Sequence, residues 1–226
     1  MNNLAYGFDT ETTGVDTATC KCVEVALVGN GLDYCTLVAC PIPIPPDASG
    51  IHHICNEDLV NAPSWELVKQ ELAVHATQTP LPVFVAHNCQ FDKAVLGEFV
   101  PVLWVCTYKV ALRLFPGAPN HKNETLRYFL GLPGCGRVGS QSSHSARHDA
   151  TVTLQLFHYF LDHATLSQML DWTEQPAKLP YMPMGKHFKQ EWSTIPGPYL
   201  QWCINQKDMR EDVVYCCRTE LERRKR

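Results

Sequence analysis

Apolar and polar residues alternate over short stretches early in the chain and take helical spacing later, so the pattern itself marks out elements. Residues 3–9 read as a strand, ended by a turn at Thr12, Thr13 and Gly14. Two more strands are expected at 22–30 and 33–42, with Asn30-Gly31-Leu32 between them as a hairpin signal. The proline-rich stretch 41–50 is expected to be loop, because proline lacks the amide a helix interior needs. Trp65, Val68, Leu72 and Ala76 share one helical face, which predicts a helix over 64–77. A strand at 81–87, a helix at 91–99, a strand at 102–106 and a helix at 109–115 follow.

A loop rich in Gly and Ser is expected over 131–143. A long helix over about 146–163 then directs Ala150, Leu154, Phe157, Phe160 and Leu161 inward. The succession, a hairpin start and then alternating helix and strand, gives an α/β fold: a mixed five-stranded sheet with helices on both faces. Pro176, Pro180 and Pro183 mark a connector beyond it. The expected organisation is a main domain over 1–170, a linker over 171–180 and a small module over 181–226, with a helix near 197–206.

Composition changes this picture little: 226 residues, 45% hydrophobic and 19% charged, describe a globular protein with a full core. No apolar run reaches the roughly 20 residues of a spanning helix, and the N-terminus lacks the pattern of a signal peptide. The eleven cysteines include no C-x-x-C pair, so reduced thiols are expected in place of zinc ligands or disulfides. A cytoplasmic, reducing location and no membrane association follow.

Charge is distributed unevenly. Residues 180–226 hold 9 Lys/Arg and 6 Asp/Glu, a net of +3, and residues 1–179 hold 10 against 17, a net of −7. The terminal ERRKR is either a solvated end or a contact for phosphates. Lys186, Lys189 and Trp192 mix cationic and planar groups as single-strand binders do, although such a tryptophan more often forms the core of a small domain.

Candidate chemistry sits in three short stretches: FDTETTG (8–14), VAHNCQFD (85–92) and HSARHD (144–149). Asp9 and Glu11 lie two apart on a strand, so both side chains leave the same face of the sheet. Alone, that pair reads as a surface pair, Asp92 as a helix N-cap and His144 as a solvated loop residue. Together, acids from separate segments make an oxygen-donor set for hard divalent ions, and a histidine beside them suits proton transfer. His144 follows the Gly/Ser loop, which would bring it in when substrate binds.

These three stretches resemble the exonuclease motifs of the DEDDh branch of the RNase T and DNA polymerase proofreading superfamily. The resemblance covers about residues 4–163. It implies a ribonuclease H-like core and 3′→5′ release of nucleoside monophosphates with two Mg²⁺ or Mn²⁺ ions. By position it makes Asp9, Glu11, Asp92 and Asp149 the metal ligands and His144 the general base. The segment IHHI (51–54) resembles the stretch that family members place near the substrate terminus, which points to His52, and the backbone after Glu11 (Thr12, Thr13, Gly14) is positioned to approach the terminal nucleotide. Asn88 and Phe91 flank the second motif, Phe91 either stacking on a base or packing in the core.

VCTYKVALRLFPG (105–117) and MGKHFKQEWSTIPGPYLQW (184–202) further resemble the bacterial exodeoxyribonuclease X family with its small C-terminal domain. That favours DNA as substrate. An exoribonuclease shares every catalytic residue, and a binding protein retaining the fold is a third reading. A homodimer is expected by analogy with the superfamily.

Overall fold

The computed structural model describes residues 5–134 and 144–226. The Gly/Ser-rich stretch expected as loop therefore falls, from 135 to 143, outside the described residues. Strands β1 (Ala5–Thr12), β2 (Cys22–Gly29), β3 (Leu32–Leu37), β4 (Val83–Ala86) and β5 (Leu103–Cys106) form one sheet in the order β3-β2-β1-β4-β5. The first three pair antiparallel, while β1, β4 and β5 run parallel. This is the mixed five-stranded sheet that the alternation pattern predicts.

The hairpin turn uses Asn30 at φ 54° and Gly31 at φ 81°, the left-handed pair of a two-residue turn that matches strand twist. β1 runs further than the pattern suggests. Thr12 belongs to the strand and not to a turn, because β-branched threonines fit a pleated surface and Thr13 stays paired with Lys21 through both backbone and hydroxyl.

Around the sheet lie α1 (Pro46–His52), α2 (Trp65–Ala76), α3 (Gln90–Leu96), α4 (Thr107–Leu114), α5 (Asn123–Phe129) and α6 (Ala146–Phe160). After them come α7 (Leu166–Glu174), α8 (Gly197–Ile204) and α9 (Glu211–Arg223). Helix α1 corrects the expectation of loop over 41–50. Pro45 sits extended at the N-cap and Pro46 occupies the first turn, where a missing amide costs nothing.

Parity along β1 separates two cores. Tyr6 and Phe8 point to one face, where Phe84 and Trp104 join Val68 and Leu72 of α2 and Leu96 of α3. Ala5 points to the other, with Val83, Val85 and Val105 beneath Leu156, Phe157 and Phe160 of α6 and Met169 of α7. Helices thus cover both faces. Since Asp9 and Glu11 share the parity of Ala5, they face α6, whereas Thr10 faces α3.

The C-terminal residues build a third cluster: Leu179, Met182, Ile195, Leu200, Val213 and Cys217 pack together and against Leu112 of α4. Trp192 is part of that packing, its indole N–H donating to the Leu179 carbonyl at 2.7 Å, so the core alternative holds for it. Residues 171–174 form the last turn of α7, and Trp172 packs against the sheet-side core. In the basic terminus, Arg224 donates to Glu220 and to the carbonyls of Trp192, Ser193 and Ile195. The ten described cysteines are free thiols, and six of them are buried. Among the described residues no helix is long and apolar enough to cross a membrane.

Candidate active site

The parallel strands β1, β4 and β5 end at the same edge of the sheet, and the three motifs meet there. Asp9 and Glu11 project from β1 toward Asp149 in the first turn of α6. An oxygen from each of the three carboxylates lies within 4.8 Å of the other two. Asp92 arrives from the other face as the third residue of α3. It is 3% exposed and accepts the Thr10 hydroxyl at 2.9 Å. The cap alternative fails for Asp92, because Cys89 holds the N-cap position and no side chain caps the helix.

Like charges in a dry place raise one another's proton affinity. Burial, then Asp92, Asp149, Glu11 and Glu24, hold the Asp9 carboxyl well above its ordinary range. Burial, then Asp149, Glu24 and Asp92, push Glu11 up to about 8. Burial takes Asp92 to about 7 against the opposing hydrogen bond from Thr10. Asp149 is raised by burial, while His148 and His144 pull it back. A cluster of oxygen donors that repel each other in this way fits hard divalent cations, which relieve the repulsion and take carboxylate ligands.

Other residues, not singled out from sequence, hold this geometry. Glu24 stands opposite Glu11 in the β1–β2 register, and its Oε2 accepts the Ala146 amide at 2.7 Å, anchoring the start of α6. Ser145 caps the same helix by accepting the His148 amide. His148 Nε2 meets Glu124 at 2.7 Å, Arg127 binds Glu124 at 2.6 Å, and Asn123 donates to the Asp149 carbonyl at 3.1 Å. Glu124, His148 and Asp149 form a second group with ligand-like spacing. The one signal in sequence was Glu24, a lone acid in an otherwise apolar strand.

His144 is exposed at the residue before that cap, in a left-handed conformation with φ 67°. Thr12, Gly14, His52 and Phe91 converge with Glu11 on a cleft of about 300 Å³. There the His52 ring accepts the Ile54 amide through Nδ1, and its buried Nε2 has no hydrogen-bond partner among the described residues. Phe91 lines the cleft, half-buried. Thr13 is instead taken up with Lys21. Asn88, at φ 67°, lines a separate cleft of about 510 Å³ with Lys122, Asn123 and Arg210.

Comparison with known proteins agrees with this geometry. The chain is 29% identical over 208 residues to exodeoxyribonuclease 10 of Escherichia coli K12, covering 88% of this chain and 90% of that protein. It is 30% identical over 173 residues to the DNA polymerase III subunit epsilon of Treponema pallidum, covering 69% of this chain and 75% of that one. Among solved structures it resembles exonuclease X in complex with 5′-overhanging duplex DNA, with 31% identity and a TM-score of 0.59 over 75% of this chain and 99% of that chain. Exonuclease I of E. coli in complex with a dA16 oligonucleotide shares the fold, at 14% identity and a TM-score of 0.56 over 74% of this chain and 42% of that chain. The exonuclease family RNase T, whose members use divalent metal ions, matches residues 6–157, a span that contains every one of the converging carboxylates. This chain therefore belongs to the RNase T family of exonucleases.

Proposed function

We propose that the chain removes nucleoside 5′-monophosphates one at a time from DNA 3′ ends, using two Mg²⁺ or Mn²⁺ ions held by Asp9, Glu11, Asp92 and Asp149. The convergence of Asp9, Glu11 and Asp149 within 4.8 Å, with Asp92 as the strongest charge acting on Asp9, carries this reading. When bound, such ions neutralise the phosphate and leaving oxygen and lower the pKa of the attacking water.

The chain's own groups do the rest. Asp9 and Glu11 are aimed together because they alternate with Thr10 on one strand. Thr10 fixes the Asp92 rotamer, and Glu24 with Ser145 fixes the start of α6 and hence Asp149. His144, five residues before Asp149 and open to solvent, accepts the proton of the attacking water and passes it out. The terminal nucleotide fits the cleft of Thr12, Gly14, His52 and Phe91, where the backbone after Glu11 and the planar groups suit a base and sugar.

DNA is favoured over RNA because the relatives matched along most of their length are named for DNA. The organisation we propose keeps a catalytic body over 1–170 and a small module over 181–226, joined through 171–180. An apolar cluster that the module shares with Leu112 of α4 and with Ala177 and Leu179 supports this organisation. The protein works in a reducing cytoplasm, as its free thiols suggest, and pairs as a homodimer by analogy with the superfamily.

The test incubates the protein with 5′-labelled single-stranded DNA, duplex DNA and RNA of matched sequence in Mg²⁺, Mn²⁺ or EDTA. A ladder shortening from the 3′ end of DNA, lost in EDTA and with Asp9→Ala, is expected. Shortening of RNA alone would keep the chemistry and replace the substrate. Binding without any shortening would return the chain to the non-catalytic reading.

A further inference from the structure

The catalytic body repels what it must hold. Residues 1–179 carry a net charge of −7, and a nucleic acid is a polyanion, so long-range attraction has to come from elsewhere. Residues 180–226 carry +3. In that module the backbone folds back on itself: Tyr181 bridges to Glu191, and Met182 exchanges hydrogen bonds with Lys189 and Gln190. The tip between them presents Lys186, His187, Phe188 and Lys189.

Aromatic groups continue from this tip along α8. The His187 and Tyr199 rings meet at 4.5 Å, and Tyr199 and Trp202 at 5.4 Å. Gly185, at φ +70°, lets the tip approach so closely that a Cβ there would lie 2.9 Å from the Tyr199 hydroxyl. Phe188 is 56% exposed and Trp202 51%, while the neighbouring Leu200 and Cys203 are buried in the apolar cluster. Lys189 Nζ stands 5.3 Å from the Phe188 ring. Exposed planar side chains interleaved with ammonium groups are what a single strand needs, since each base offers a face and each phosphate a charge.

The row also leads somewhere. From Trp202, α8 ends at Ile204, and residues 205–210 connect it to Arg210. Arg210 lines the cleft shared with Asn88, Lys122 and Asn123, and Asn123 is bonded to the carbonyl of Asp149. Arg210 of the module thus stands in a cleft beside Asn123, a residue that bonds the backbone of Asp149.

Resting on the exonuclease reading above, we infer that Phe188, Trp202, Tyr199 and His187, with Lys186 and Lys189, form a second contact for single-stranded nucleic acid. This contact holds the strand upstream of the terminal nucleotide. The partner is a strand with unpaired bases. A duplex hides its base faces and would meet only the two lysines.

The test uses the full chain. In an Asp9→Ala background with EDTA, anisotropy of a 5′-fluorescein dT20 strand reads binding without turnover. Phe188→Ala with Trp202→Ala is expected to weaken binding by roughly tenfold or more, the scale of lost base stacking. Trp202→Phe, which keeps a stacking face, stays within about twofold on the same scale. In the active enzyme the double change raises KM for dT20 and leaves kcat. It also leaves the hydrolysis of the p-nitrophenyl ester of thymidine 5′-monophosphate, a single nucleotide that cannot span both contacts.

If the double variant melts early, Lys186→Glu with Lys189→Glu on the exposed tip takes its place, with the same expected loss. A folded double variant that binds dT20 as the parent does overturns the inference. So does a variant that turns a dimer into a monomer in sedimentation without changing dT20 affinity, which would make the patch a contact between two copies. Absence of turnover on every substrate would sink the exonuclease reading, while the anisotropy result would still judge the second contact by itself.

Discussion

Gly7 on β1 lies directly under the Ala150 carbonyl of α6: a Cβ on Gly7 would overlap that oxygen and come within 3.1 Å of the Leu154 Cβ. Gly7 precedes Asp9 by two, and Ala150 follows Asp149. The close approach of this strand and helix is therefore what brings two of the carboxylates into one site. Gly7→Ala forces α6 off the sheet. Because the obstacle is backbone, the expected loss is about 3 kcal/mol or more, at the upper end of core overpacking. Denaturant unfolding checks this; a stability within 1 kcal/mol of the parent, with activity intact, would contradict the packing argument.

Asp9 concentrates the repulsion of the site. Asp9→Ala is expected to cut turnover by at least about a thousandfold, the scale of losing a preorganised electrostatic group. The same change raises the melting temperature of the metal-free protein, since it removes a half-buried carboxyl pressed by Asp92, Asp149 and Glu11. Calorimetry in EDTA and a labelled-strand assay in Mn²⁺ read the two effects separately. An active Asp9→Ala enzyme would remove the proposed mechanism.

His144 stands apart from the ligand set, so its loss separates proton transfer from metal binding. His144→Ala lowers kcat by about 10²–10⁴-fold, the usual worth of a general base. The rise in melting temperature on adding Mn²⁺ stays as in the parent protein. If that thermal response vanished with the histidine, its assignment as base and not ligand would be wrong.

Stability of the metal-free protein has a defined pH slope. Glu11 and Asp92 hold protons in the folded state up to about 8 and about 7, whereas unfolded carboxyls release them near 4. The folded state thus binds more protons over that interval, and stability falls as pH rises. Below pH 6.5 the buried His87, lowered to about 4 by burial, contributes the opposite slope. Between pH 6.5 and 8 the buried Cys106 thiol, lowered to about 6 by the hydrogen bond with Cys89, opposes this slope, so a Cys106→Ala protein is the reference in which the melting temperature in EDTA should fall and added Mg²⁺ or Mn²⁺ should restore more at the upper end. A flat profile in EDTA would show that the carboxylates do not repel as described.

Glu24 offers a subtler test, because it acts through α6. Glu24→Gln keeps an acceptor for the Ala146 amide and removes a charge beside Glu11, so activity should persist with raised metal-free stability. Glu24→Ala loses the anchor at 2.7 Å and should cost about 1–3 kcal/mol, as for a buried amide left unpaired. Equal behaviour of the two variants would deny Glu24 its positioning role.

How much of this was legible beforehand follows from the range of the interactions. Strand and helix identity came through wherever one periodicity persisted, as in α2 and α6, because the face that meets the core is written at fixed spacing. The Asn30-Gly31 turn and the joint facing of Asp9 and Glu11 are equally local, set by backbone sterics and a period of two. Helix α1 was hidden because proline, a breaker inside a helix, is welcome in its first turn, and only the fold tells which position it holds.

The acids and the histidine were identifiable by type and order along the chain. That Asp92 is locked by Thr10, that Glu24 anchors α6, and that Glu124 and His148 stand beside Asp149 depends on segments 24 to 122 residues apart being brought together. The exposure of Phe188 and Trp202, against the half-burial of Trp192, was likewise decided by which side of a small core each residue met. Sequence by itself determined which groups were available for chemistry and which face of each element they left. The packing of α6 on β1, with no side chain between them at Gly7, decided their distances, because contacts between remote segments are fixed by shape and burial and not by neighbours along the chain.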